Sequence, residues 1–244
     1  MNDSGEVIAY LQGLRTRFAA DKDRRGVFVA AYLEVSEAVA AGLRSGAFRD
    51  AVWAERYMTA FGSLYREALE AYDAGAACPK AWRIAFDAAR RNETAALQDL
   101  LLGVNAHINN DLPLALVRAG IDPRREDRHA DHDAVNDILE KVTDRLQRSV
   151  AEQYAPVLKL FDFAAGRADE ALANFSVRKA RAGAWNKAVL LADTSGAASD
   201  IVARIVAGEA AVLARLIRMP TAANPALLAA LRRAEQSVVL ESLA

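Results

Sequence analysis

Apolar side chains recur along this chain at intervals of three and four, the spacing of a buried helix face, and no segment alternates convincingly like a strand. Over 26–43 the stripe is Phe28, Tyr32, Val35 and Val39; over 51–72 it is Trp53, Tyr57, Phe61, Leu64 and Leu69. Pro79 opens a shorter helix with Trp82 and Phe86, since a proline suits a first helical turn. The interval 93–119 reads as one long helix in which Pro113, lacking an N–H and crowding the carbonyl four residues back, predicts a kink or a break. A charged loop is expected over 120–131, then a helix to about residue 154 with Val135, Ile138, Leu139, Val142, Leu146 and Val150 inward. Pro156 starts another short helix, 168–192 carries Trp185, and 201–217 is amphipathic and stopped by Pro220. Asn224 caps a last helix with Pro225 in its first position. The pattern predicts one all-α domain over residues 1–244, a bundle of about nine or ten helices without linker or repeat.

One stretch breaks the apolar rule. LLLGVNAHINNDLPLALV, running from 100 to 117, sets Asn105, His107, Asn109, Asn110 and Asp111 into a run of leucines and valines. Each such group costs about 1–3 kcal/mol to bury unless it finds a partner. His107 and Asp111 are four apart, so on a helix they aim at one point, either as metal ligands or as a couple in which the carboxylate orients the ring. Asn105 and Asn109 form a second pair of the same spacing. The second polar cluster is RHADHDAVNDIL, from 128 to 139. There His132 shares the inward stripe of Val135 and Leu139, Asn136 lies one turn on, and Asp131 or Asp133 is placed to cap the helix start. His129 is expected to be exposed in the loop. All three histidines fall within these two neighbouring segments.

Composition narrows the classes. The net charge of −1, with arginines interspersed among acids, leaves no basic footprint for nucleic acid or an anionic membrane. The single cysteine, Cys78, forms no intrachain disulfide and suits a reducing compartment. No signal-peptide layout opens the chain, and no run of about 20 residues is free of polar interruption, the span from 100 to 117 coming nearest. A cytoplasmic protein without a membrane span is expected. Trp53 and Trp82 read as core, Tyr32 belongs to the apolar stripe and Glu34 lies off it. Arg181, one turn before Trp185, can clamp an anionic substrate or pair with a buried acid such as Asp111 or Glu34. The chain has no phosphate loop, no GxGxxG, no GxSxG, no HExxH and no paired ExxH ligands.

The segments AYLEVSEAV, FRDAVWAERY, LLGVNAHINNDLPLAL, ADHDAVNDIL and RAGAWNKA, in this order, resemble the DUF5995 family of bacterial helical proteins, over about residues 26–191. The resemblance implies a helical fold and a site location, not a chemistry; Asn105, His107, Asn109, Asp111, Asp131, His132, Asp133, Asn136 and Trp185 match its characteristic positions. The HxxxD element is also similar to one supplying ligands in zinc-dependent phospholipase C and P1-type nucleases. This chain lacks their other histidines and N-terminal tryptophan ligand, which leaves at most a mono- or dinuclear site.

The leading expectation is an enzyme for a small organic molecule, hydrolase-like and metal-assisted. His107, Asp111, His132 and Asp133 would be catalytic, and Asn105, Asn109, Asn136, Arg181 and Trp185 would face the substrate. His107, Asp111, His132 and Asp131 would hold a divalent zinc, iron or manganese ion. Two rivals stand beside it: a non-catalytic helical protein that binds an apolar ligand, and a structural protein whose polar cluster is a packing network. Apolar C-terminal helices raise a homodimer as a further expectation.

Overall fold

The computed structural model describes residues 1–142 and 177–219. Among the described residues the protein is helical throughout, without strands. The delimited helices are α1 (Ser4–Ala20), α2 (Gly26–Arg44), α3 (Ala51–Asp73), α4 (Lys80–Arg90), α5 (Ala96–Asn105) and α6 (Leu112–Ala119), with a π-helical turn, Ala106–Asp111, joining the last two. A helical stretch over 125–142, here α7, precedes α8 (Val177–Ala192) and α9 (Gly196–Arg218). The inward positions expected at Leu146 and Val150, the helix start at Pro156, residues 168–176 of the next helix, and the cap at Asn224 with Pro225 lie outside the described residues.

The helix starts follow from local chemistry. Asp3 accepts the Glu6 N–H at 2.8 Å and Asp50 accepts the Trp53 N–H at 3.0 Å, each satisfying an amide that the first turn leaves free. Behind these caps α1 buries Val7, Leu11, Leu14 and Phe18, and α3 buries Trp53, Tyr57, Leu64 and Leu69, the face its periodicity predicts.

The polar-island helix is the spine of the molecule. α5 packs on α2, α4 and α9; the π turn on α3, α4, α8 and α9; α6 on α3 and α8. Pro113 does not end it: helix continues to Ala119, and the regular α-helical ladder is interrupted by the π turn just ahead of the proline. The Leu112 N–H reaches back five residues to the His107 carbonyl, so the turn before the proline is widened. That widening relieves the crowding between the proline ring and the preceding turn, and Pro113 continues buried into α6.

Two other expectations are corrected. The charged loop is shorter than 120–131, because helix begins at 125 and takes in His129 and Asp131. Among the described residues the helix nearest to a membrane span in length and composition is α2, not the polar-island run. α2 nonetheless turns Phe28, Val29, Tyr32, Leu33, Val39 and Ala40 into the protein's own core.

A buried ion pair fastens α2 to the spine. Arg24, just before α2, donates through Nε to Asp99 Oδ2 at 2.8 Å and through Nη2 to the Thr94 carbonyl at 2.9 Å. Thr94 Oγ1 donates to the other Asp99 oxygen. Beside it Gly103 lets the helices close: a Cβ there would fall within 3 Å of three atoms of Phe28. In an open helix interior, Gly103→Ala would stabilise by raising helix propensity. Here it is expected to destabilise by about 1–3 kcal/mol through overpacking, seen as a lower urea midpoint at unchanged slope.

Candidate functional site

The π turn brings His107 and Asp111 together at the centre of the bundle, both essentially without solvent contact. Asp111 receives three donors. His107 Nδ1 lies 3.0 Å and Trp82 Nε1 2.8 Å from its Oδ2, and Asn110 Nδ2 lies 2.8 Å from its Oδ1. A carboxylate oxygen accepts, so the imidazole proton sits on Nδ1 and the lone pair is left on Nε2. That Nε2 is buried and has no hydrogen-bond partner. Around the ring stands an aromatic box. Phe61 stacks on it face to face, centroids 3.4 Å apart and planes 8° apart, and Tyr32 meets it edge-on at 4.4 Å. Phe28, Tyr65 and Trp82 complete the box. Burial lowers the His107 pKa below its ordinary 6.5, and the opposing pull of Asp111 is the smaller effect.

His132 occupies a different site. Its Nε2 faces the Arg181 carbonyl at 3.2 Å, so Nε2 carries the proton and Nδ1 accepts. The Tyr57 hydroxyl stands 3.1 Å from Nδ1 and Arg181 Nη2 3.3 Å from it. Both ring nitrogens are engaged. Burial first, then the Arg181 charge, push the His132 pKa down to about 2, so the ring is neutral at any physiological pH. The space expected between the two histidines is filled by side chains of α3, Phe61 against His107 and Tyr57 against His132.

The other expected site residues go to separate tasks. Asp131 caps no part of its own helix: its two oxygens accept the backbone N–H groups of Arg49 and Asp50, at 2.7 and 2.8 Å, just ahead of α3. Asn105 donates to the Ala210 carbonyl of α9, and Asn109 donates to Asn105. Arg181 is buried yet meets neither Asp111 nor Glu34; its Nε donates to Asn136 Oδ1 at 2.6 Å and its Nη2 to the His132 carbonyl at 2.8 Å. Asp133 is half exposed, accepts from Asn136, and lies 3.8 Å from His129. Trp185 is buried against the rings of His129 and His132.

Two open surface clefts flank α7. One, of about 590 Å³, is lined by Arg49, Asp131, Asp133, Asn136, Asp137 and Arg178. The other, of about 600 Å³, is lined in part by Arg124, Arg125, His129 and Trp185. Neither His107 nor Asp111 lines them. The four expected metal ligands are thus divided: among the described residues no three His, Cys, Asp or Glu side chains are grouped to hold a metal ion. With His132 spent at both nitrogens and Asp131 on two amides, the ligand set read from the sequence does not assemble.

Sequence reasoning missed Tyr57 and the donor role of Trp82, both assigned to the core on their apolar spacing. It also missed Asp99, a carboxylate at the head of an apolar run, whose burden of burial was the available signal.

The model of a family described as "Family of unknown function (DUF5995)" matches residues 4–220, further at both ends than the segments that carry the resemblance. No curated protein and no solved structure matches the chain.

Two neutral buried histidines make stability depend on acid. Below pH 6.5 the unfolded chain, with ordinary histidines, binds more protons than the folded one. The stabilisation is complete above pH 6.5 and drains as pH falls toward the depressed folded-state values, at up to about 1.4 kcal/mol per pH unit for each ring. Urea melts between neutrality and pH 4 should show this slope, and His132→Gln should reduce it by one proton. An unchanged slope in the His107→Gln/His132→Gln double variant would refute the assignment.

Proposed function

The chain belongs to the DUF5995 family, and we propose that it acts on a small organic molecule through His107, by acid–base chemistry of a hydrolase-like kind. One observation carries this reading: Nε2 of His107 is a buried lone pair with no partner, on a ring whose other nitrogen is held by a carboxylate with three donors. A buried acceptor left open costs stability that a packing role does not repay. The lowered pKa keeps that nitrogen in the free-base form near neutral pH, ready to take a proton from a hydroxyl or water and return it to a leaving group. Asp111 fixes the tautomer and stabilises the imidazolium once formed.

Phe61 supports access to the ring: it is only partly buried, so the face of His107 it covers lies one side chain from solvent. The metal-assisted version, with zinc, iron or manganese, needs a third ligand beside His107 and Asp111, and the described residues supply none. The working pair is therefore His107 with Asp111. Asn105, Asn136, His132 and Arg181 hold the helices that frame it, and Asn109 holds the Asn105 amide.

A second reading is favoured by the burial itself. His107 is 3 % exposed and lines neither surface cleft, which suits a packing network with no guest. Diethyl pyrocarbonate separates the two. If small molecules reach Nε2, modification should run His129 first, His107 measurably next and His132 last, with Phe61→Ala accelerating His107. A panel of small esters and amides should then show a turnover that His107→Gln lowers by about 10²–10⁴-fold while the fold is retained. A His107 that stays unmodified in both wild type and Phe61→Ala, with no turnover lost in a folded His107→Gln protein, would establish the packing role instead.

A further inference from the structure

At one corner of the core the rings do not close on one another. Phe28, Tyr65 and Trp82 meet pairwise at 51–68°, with centroids 5.0–5.4 Å apart, so their flat faces do not stack. Gly103 and Ala85 adjoin them and are too small to fill the corner. A cavity of about 10 Å³ remains, with Arg24, Arg25 and Asp99 also in its wall. Tyr65 lines this cavity, is 0 % exposed, and its hydroxyl has no hydrogen-bond partner among the protein groups. A buried hydroxyl in that position forfeits its bonds to solvent and gains none in return.

We propose that this cavity is a binding site for one water molecule, held between the Tyr65 hydroxyl and the Arg24–Asp99 pair. Size selects the ligand first. About 10 Å³ is the room that a single water needs, and it excludes an organic molecule or an oxyanion. Charge selects it next. Two guanidinium groups in the wall oppose a metal cation, and the Asp99 carboxylate opposes a halide. Water is neutral and both donates and accepts: it can take an arginine N–H and give its own hydrogens to the carboxylate and the Tyr65 oxygen. Buried waters settle where two to four polar groups converge, and this wall supplies that number. The bound water would tie Tyr65 of α3 to the clasp that fastens α2 to α5. His107 does not line the cavity, so the site stands apart from the proposed chemistry.

The sign of one substitution tests this. Tyr65→Phe removes the hydroxyl and keeps the ring. If the hydroxyl is bonded to water, the change should lower the folding equilibrium constant by about 2–10-fold, read as a lower urea midpoint at unchanged slope. A hydroxyl with no partner at all would instead make phenylalanine the better residue, so an unchanged or higher midpoint would overturn the site. Oxygen-17 magnetic relaxation dispersion, which detects long-lived internal water directly, should count one more such molecule in the unaltered chain than in Tyr65→Phe; equal counts would refute it. Should that variant fail to fold, a crystal structure of the unaltered chain decides. Density for a water within about 3.2 Å of the Tyr65 hydroxyl supports the proposal, and a clear map without it sinks it.

Discussion

A carboxylate at the centre of a helical core has to be surrounded by donors, and the demand of Asp111 organises this molecule. Its three partners come from the π turn itself and from α4, so the central helix can only sit where Trp82 reaches it. Leaving any one donor out would strand charge or polarity in a low-dielectric interior, at a cost comparable to a large fraction of a domain's net stability. The same demand accounts for the widened turn. His107 donates to the group that Trp82 and Asn110 also serve, and the π turn ends at Asp111, two residues before the proline.

Around that centre the interior is divided by α3. Tyr57 and Phe61, one turn apart, each lean on a different histidine, and the two rings end in opposite chemical states. His107 keeps a free lone pair, because its proton is pinned on the side of the carboxylate. His132 has nothing free, because a carbonyl accepts its N–H and Tyr57 and Arg181 crowd its lone pair. Two buried imidazoles of the same chain thus differ in use for a local reason, the identity of the acceptor each one faces. The working atom of the proposed chemistry is the imidazole nitrogen left without a hydrogen-bond partner, while Asn105, His132 and Arg181 are occupied in joining helices.

Much of the architecture was legible beforehand. Stripes such as Trp53, Tyr57 and Leu64 mark helix faces whatever the fold, because burial of every third or fourth residue follows from the helical repeat alone. The i, i+4 relation of His107 and Asp111 is of the same kind and survives even the π turn. What misled was proximity inferred between elements. Arg181 was placed beside an acid on charge alone, and Asp131 at the start of its own helix on spacing alone. In the bundle Arg181 finds an amide and two groups of His132, and Asp131 reaches across to the amides ahead of α3, 82 and 81 residues away in sequence. Trp82 and Tyr57 were read as core, which they are, but their polar ends choose the partners of Asp111 and His132.

The chain by itself determined its helices, their inward faces, the polar island and the pairing of His107 with Asp111, since all of these depend on separations of a few residues along one backbone. Only the tertiary structure decided that His107 and His132 serve separate sites, that no metal set forms from them among the described residues, and that one nitrogen is left without a partner. Those outcomes turn on which side chains arrive from other helices, and the packing of rings as large as Tyr57, Phe61 and Trp82 is settled by the shape of the whole core.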